Sequence, residues 1–202
     1  MKLAAYPLAL ALAVTTVPVI ADAAAEIGQP APEFSVTGSD GKTHALADYR
    51  GKYVVLEWLN HDCPYVAKHY DTENMQALQK ETTGKDMVWL SVISSAPGKQ
   101  GHSTPEKANE HASAKGAAPT AILLDEKGEV GTLYEAKSTP HMFVVDPEGT
   151  LIYKGAIDDQ PTFEKETVSG AKNYVRQALA EATAGKVVSA PDTRAYGCSV
   201  KY

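Results

Sequence analysis

Residues 53–59 read Tyr-Val-Val-Leu-Glu-Trp-Leu, an apolar run rich in β-branched and aromatic side chains, and Cys63-Pro64 follows closely behind it. Such a run predicts a strand over 52–59 that is covered on both faces, so the chain must lay helices on a sheet. Pro64 cannot occupy a helix interior but suits the first helical position, where its missing N–H would have had no partner. A helix is expected from about residue 64 to 82, interrupted near Asp71-Thr72, where a new cap could form. Cys63 then stands between a buried strand and the mouth of a helix. Unpaired N–H groups and the positive end of the helix dipole favour a thiolate there, with Glu57 and Asp62 opposing.

The remaining elements alternate. Residues 33–36 and 42–46 flank Ser39-Asp40-Gly41, a turn composition, and read as a hairpin. Strands follow at 87–93 and 121–124, with a helix over 105–115 between them. Ser103-Thr104-Pro105-Glu106 matches a capping box for that helix. A short helical turn covers 130–134. Strands at 141–145 and 150–153 surround the turn Asp146-Pro147-Glu148-Gly149. Ala171, Tyr174, Val175, Ala178, Leu179 and Ala182 have helical spacing, and Gly185 stops the helix. Residues 186–202 read as an extended tail over the surface. This order predicts a one-domain α/β sandwich with a mixed central sheet flanked by helices.

Residues 1–23 carry Lys2, then an apolar stretch broken by Pro7, Thr15, Thr16 and Pro18, then Ala21-Asp22-Ala23, the pattern of a secretory signal peptide cut after 23 or 25. The alternative is a membrane anchor, which the prolines and threonines weaken. Loss of Lys2 and Asp22 together leaves the net charge unchanged. That charge, −6 from 19 basic and 25 acidic residues, removes the phosphate attraction on which nucleic-acid binders depend. The expected product is an exported protein, in a bacterial periplasm, with no stable membrane anchor and no nucleic-acid partner. In that oxidising setting the two cysteines, Cys63 and Cys198, are either a structural staple or a redox pair.

Strand 54–59 leading into Cys63-Pro64, Ser138-Thr139-Pro140 before a strand, and the Asp146-Pro147-Glu148-Gly149 hairpin together resemble the thioredoxin superfamily, in its exported redoxin or peroxiredoxin-like branch. The resemblance covers residues 27–185, preceded by the signal peptide and followed by the tail 186–202 that carries Cys198. It implies a thioredoxin-like sandwich with an N-terminal β-hairpin extension, a cis Thr139-Pro140 bond beside the active-site sulfur, and Glu57 as a buried acid assisting proton transfer. The expected catalytic residues are Cys63, Glu57 and Pro140, with Cys198 as the one other thiol able to resolve within the chain, and the expected substrate-binding ones are Trp58, Pro64, Tyr65 and Thr139. This chain departs from the family pattern twice. Val66 occupies the place of a dithiol thioredoxin's second cysteine, and Asn60 that of a peroxiredoxin's Thr or Ser.

Three activities are compatible with those residues. In the first, Cys63 attacks a protein or small-molecule disulfide and Cys198 resolves the intermediate, with an external thiol as reductant and no cofactor. In the second, Cys63 is oxidised by a hydroperoxide and Cys198 condenses with the sulfenic acid. In the third, a module holds Cu(I) through Cys63 with His61, His141 or Met142. On the bland side, His61 and Asp62 read as solvated loop residues, His69 as surface or core filler, and Asp158-Asp159 as an acidic loop and helix-start cap. Glu57 could equally be a strand charge satisfied by Lys52 or water. At about 3.3–3.6 Å per residue the tail beyond Gly185 is long enough to bring Cys198 to Cys63 as a mobile arm.

Overall fold

The computed structural model describes residues 24–202, so the signal-peptide expectation lies outside the described residues. A five-stranded mixed sheet has the order β5-β4-β3-β7-β8. β3 (Val54–Trp58) runs parallel to β4 (Val88–Ile93), which runs parallel to β5 (Ala121–Leu124). β7 (His141–Val145) pairs antiparallel with β3 on its other side and with β8 (Leu151–Gly155) at the edge. Parallel pairing demands long crossovers. These are α1 (Pro64–Asp71) with α2 (Asn74–Thr83), and then α3 (Pro105–Ala114). α4 (Glu129–Leu133) precedes the short β6 (Ser138–Thr139), and α5 (Tyr174–Thr183) closes the sandwich. The hairpin of β1 (Ser35–Thr37) and β2 (Thr43–Ala45) lies ahead of the main sheet. Among the described residues no helix is long and apolar enough to cross a membrane.

Strand alternation divides the interior in two. Val55, Leu59, Trp89, Met142, Val144 and Tyr153 pack with Val66, Leu78, Val175 and Cys63 on one face. Val54, Leu56, Trp58, Leu90, Phe143 and Val145 pack with Phe34, Leu46, Val130 and Tyr134 on the other. Each fully buried Val or Leu of these layers contributes about 1.5–3 kcal/mol. Every residue of β3, β4 and β7 is buried, as a sheet covered on both faces requires.

Several local expectations are corrected. The break between α1 and α2 falls where it was expected, but the second helix is capped by Glu73 in the left-handed region, φ 58°, with no side-chain cap bond. α3 uses Thr104, whose oxygen accepts the Lys107 N–H; with Pro105 fixed as the first helical residue, Ser103 lies one place too early to form the capping box. Ala171 stands outside α5, whose cap is Asn173, because a 3-10 segment at Lys165–Gly170 precedes it. The C-terminal residues are no loose arm. Lys154 and Asp192 form a parallel bridge, the Ala96 N–H donates to the Lys201 carbonyl, and β9 (Cys198–Ser199) pairs antiparallel with β6.

Acid sensitivity follows from the packing. His141 is 8% exposed and its Nδ1 accepts the Lys137 N–H at 3.3 Å. Burial, with the charges of Lys154 and Lys137, pulls its pKa down to about 3. The folded chain refuses a proton that the unfolded chain accepts near pH 6.5, so this contribution is complete above about 6.5 and is lost as pH falls toward 3. His61, at about 4, and His69, at about 3, act in the same direction. The urea midpoint is expected to drop steadily from pH 6.5 to 4, and His141→Gln to flatten that slope in part while lowering the midpoint at pH 7. A midpoint independent of pH over this range would contradict the account.

Candidate active site

β3 ends at Trp58, and a tight turn delivers the chain to α1. Asn60 Oδ1 accepts the Asp62 N–H at 2.9 Å, and the Asn60 carbonyl accepts the Cys63 N–H at 3.1 Å. Asp62 is tied to the loop after β4, its carboxylate accepting the Gly101 N–H and its carbonyl the Gln100 side chain. His61 stacks on His111 with ring centroids 4.5 Å apart, and burial, followed by the His111 charge, keeps it neutral. His61 and Asp62 are therefore structural members of the turn and not merely solvated. Cys63 is the N-cap of α1, with extended backbone, 0% exposure and no side-chain capping bond.

As a thiol, Cys63 donates to the Thr139 carbonyl at 3.1 Å. The Thr139-Pro140 bond is cis. Thr139 Oγ1 is buried without a hydrogen-bond partner. The Ser138 and Thr139 backbone on this approach is already paired, with Ser199 and Cys198 respectively. Gly197 makes that possible: its φ is 137°, and a Cβ there would overlap the Thr139 carbonyl. Both cysteines are free thiols and stand 2.8 Å apart. Burial, donation to Cys63 and the negative charge of Cys63 push the Cys198 thiol up to about 12, while Lys201 acts the other way.

A buried polar cluster anchors this arrangement and was not foreseen in the sequence. The Tyr196 hydroxyl donates to Asp158 Oδ1 and lies 3.3 Å from His69 Nε2. Lys68, wholly buried, donates to the Gln160 and Thr162 carbonyls and sits 3.8 Å from Asp158 Oδ2 and 5.6 Å from the centre of the Tyr196 ring. Asp158 is thus no exposed acidic loop residue and His69 no surface filler. α1 presents Lys68 and His69 to the tail beyond Cys63, so one helix positions both Cys63 and the anchor of Cys198. Long polar side chains at 68, 69, 158 and 196 gave no periodic signal; only the polar pair in an otherwise buried helix turn hinted at it.

The other expected site residues separate. Pro64 is exposed, and half-buried Tyr65 contacts Phe163 and Tyr196 edge-on, at centroid distances of 5.8 and 5.9 Å. Phe163 is 53% exposed, so these rings form an apolar rim next to the sulfurs. Trp58 is not part of it. Strand alternation turns Trp58 to the opposite face, where it is fully buried and donates to Ser94. Glu57 is also fully buried, and Lys52 does not balance it; Lys52 pairs with Asp86. Its carboxylate accepts from Tyr70, Gln79, Trp89 and Ser91. Burial raises its pKa, and those four donors oppose the rise. None of the four bonds to either sulfur, so Glu57 has no direct hydrogen-bonded route to Cys63. The Cu(I) set does not assemble: His141 stacks on Phe143 on the face away from Cys63, and among the described residues no group of three or more His, Cys, Asp or Glu could hold a metal ion.

The sequence profile described as the AhpC/TSA family matches residues 27–154. An uncharacterized conserved protein from Geobacillus kaustophilus is 25% identical, with a TM-score of 0.74 over 88% of this chain and 93% of that one. The thioredoxin domain of a thiol-disulfide oxidoreductase from Bacteroides vulgatus is 20% identical, with a TM-score of 0.51 over 72% of this chain and 96% of that one, a likeness of fold. The curated Peroxiredoxin Bcp from Bacillus subtilis (strain 168) is 55% identical over 31 residues, 15% of this chain; the match spans 20% of that relative's length. The architecture is accordingly the thioredoxin-like sandwich.

Two substitutions probe the site's framework. Glu57→Gln turns an amide donor toward groups that are themselves donors, and is expected to cost about 1–3 kcal/mol, read from the urea midpoint. Tyr196→Phe removes the hydroxyl that reaches Asp158 and is expected to loosen the tail, read as faster proteolysis after residue 186 with the unfolding free energy lowered by about 1–2 kcal/mol. Unchanged proteolysis would deny Tyr196 its anchoring role.

Proposed function

The chain belongs to the AhpC/TSA family, and from that premise we propose that it is a thiol-dependent oxidoreductase in which Cys63 attacks a disulfide and Cys198 resolves the product. One observation carries the reading: a helix-mouth cysteine lies 2.8 Å from a second thiol that is held in place by the tail's pairing with the segment before Pro140. The Cys63 thiolate attacks one sulfur of the substrate, forming a mixed disulfide and expelling the other sulfur as a thiolate, which takes a proton. Cys198 then loses its proton and attacks the Cys63 sulfur, releasing the second substrate thiolate and leaving a Cys63–Cys198 bond. The substrate gains two electrons and the protein loses two, which an external thiol reductant restores.

The supporting residues have distinct parts. The Thr139 carbonyl accepts the Cys63 thiol proton and so orients the sulfur. Pro140 shapes the wall beside Cys63, and Pro64, Tyr65 and Phe163 give a substrate an apolar edge. Glu57 holds Tyr70 of α1 against the sheet and so positions the helix that carries Cys63. Export to a bacterial periplasm is part of the reading and rests on the sequence of residues 1–23. Cleavage after 23 would keep Ala25, which is buried and whose carbonyl accepts from Lys154.

A second reading, hydroperoxide reduction, is favoured by the complete burial of Cys63, which admits a small oxidant more readily than a polypeptide. Cys63 would take an oxygen to become a sulfenic acid, the hydroperoxide leaving as alcohol, and Cys198 would condense with it and release water. Asn60 weighs against this reading, because its amide is engaged by the Asp62 N–H and the Gln100 carbonyl.

Turnover of a model disulfide and of a hydroperoxide, each with excess thiol reductant, separates the two. Disulfide turnover is expected to dominate. Cys63→Ser abolishes it, and Cys198→Ser slows it by at least about tenfold while a mixed disulfide accumulates on Cys63, since an external thiol lacks the effective concentration of a neighbouring one. Loss of the Cys63 thiol in wild type without an internal Cys63–Cys198 bond, by mass mapping, would overturn the resolving step.

A further inference from the structure

We infer that residues 196–200, Tyr-Gly-Cys-Ser-Val, occupy the place of the substrate's own strand, so that the substrate is an extended polypeptide with glycine just before its reactive cysteine, exchanging with the tail on β6. The inference deepens the reading proposed above and rests on Cys63 being the attacking thiol. Cys63 has 0% exposure, and the Cys198 sulfur stands 2.8 Å from it. An outside sulfur therefore has to displace something. The neighbour most easily displaced is the end of the tail: from Tyr196 to Tyr202 no residue is buried, whereas Leu59, Val66 and Met142 of the cluster that holds Cys63 are. A substrate sulfur that takes the place of Cys198 meets the same surroundings, and the tail is the template of what fits them.

Register defines that template. Thr139 pairs with Cys198 and Ser138 with Ser199, and the Val200 N–H donates to the Lys137 carbonyl at 3.3 Å. Gly197 has φ 137°, and a Cβ there would overlap the Thr139 carbonyl, the group that accepts the Cys63 thiol proton. Any other residue at this position pushes the strand, and the sulfur after it, away from Cys63. One residue earlier, the Tyr196 ring meets Tyr65 edge-on and its hydroxyl reaches Asp158, so the place suits an aromatic side chain with a hydroxyl. Ser199 is exposed and leaves its position free, while Val200 packs against the layer of Val130 and Tyr134. The pattern is an aromatic residue, glycine, cysteine, any residue, then an apolar one.

The two strands use the edge in turn. The substrate seats on β6 with residues 196–202 lifted, while buried Val188, and Thr193 with its bonds to Tyr153 and the Ala156 N–H, keep the rest of the tail on the domain. The Cys63 thiolate bonds to the substrate cysteine sulfur; the substrate's S–S bond breaks, and its other sulfur leaves with the electron pair and takes a proton. Return of the tail displaces the substrate strand. Cys198 then gives its proton to water and bonds to the Cys63 sulfur, and the substrate cysteine leaves as a thiolate. The substrate has gained two electrons and the protein has lost two. Burial of Cys63 thus hinders a polypeptide only while the tail is seated, and the returning tail expels the product.

The probes are the peptide Tyr-Gly-Cys-Ser-Val-Lys, carrying thionitrobenzoate on its cysteine, and the same peptide with alanine in place of glycine. Each is mixed with the full chain bearing Cys198→Ser, so that the reaction stops at the mixed disulfide on Cys63. The glycine peptide is expected to release the coloured thiolate at least about tenfold faster than the alanine peptide, because only the alanine methyl meets the Thr139 carbonyl. Equal rates overturn the inference. Dithiobis(nitrobenzoate), which has no strand, separates the two levels: no reaction of Cys63 with it or with either peptide overturns the thiol reading itself, whereas reaction without a preference for glycine overturns the template alone. In the wild-type chain the unreactive peptide Tyr-Gly-Ser-Ser-Val-Lys is expected to raise hydrogen exchange across residues 196–202 several-fold and to leave β3 unchanged. No rise in the tail up to millimolar peptide overturns the strand exchange.

Discussion

Two backbone pairings, Ser138 with Ser199 and Thr139 with Cys198, hold the redox site together. Such a short ladder cannot order a tail alone. Each hydrogen bond yields about 0.5–1.5 kcal/mol net, and each residue fixed costs about 1–2 kcal/mol of backbone entropy. The tail must be held at other points, and it is. Val188 is buried in the helix-side core, Thr193 bonds to Tyr153 and the Ala156 N–H, and the Tyr202 hydroxyl donates to the Ala136 carbonyl. The meeting of two sulfurs distant in sequence is thus the product of a whole docked segment, and the sulfurs contribute little to the docking.

The buried Lys68, Asp158, His69 and Tyr196 cluster is the costly part of that docking. Removing a lysine and a carboxylate from water costs several kcal/mol each, and their mutual attraction only partly offsets it. Burial lowers the Lys68 pKa while Asp158 and Asp159 oppose the shift, and Asp158 Oδ2 has no hydrogen bond. A hydrophobic plug would stabilise the fold more cheaply. What the polar cluster adds is direction: Tyr196 has one place where its hydroxyl is satisfied, and Cys198 is two residues further on, past a glycine that lets the backbone touch Thr139. Register is the gain.

This division explains what could be read in the sequence. β3 and the helix mouth were legible because a doubly covered strand is predominantly apolar, here with Glu57 as the one charged residue, and Pro64 has few helical positions open to it. The hairpins and α5 carried turn residues or a 3.6-residue period. Trp58 was misplaced because closeness to Cys63 in sequence says nothing of strand alternation, which sends it to the other face. His61, His69 and Asp158 read as filler or loop in the sequence because polar residues are usually solvated; their places depend on partners from remote segments, His111, Tyr196 and Lys68. The tail's fixed course was hidden for the same reason.

The site's chemistry follows from the inequality of its two thiols. Identical groups at this separation would share charge evenly and exchange would run equally well at either. Here one sulfur caps a helix beneath packed side chains, and the other lies on an edge strand with its proton held by its neighbour. The first is suited to carry negative charge, the second to stay neutral until its partner has been consumed. In the proposed resolving step a Cys63 bonded to a substrate sulfur carries no charge, which removes one of the causes that raise the Cys198 pKa while burial, the largest, remains. The tail's anchorage at Tyr196 keeps the two cysteines 2.8 Å apart, so that the second thiol is at hand wherever the first has reacted.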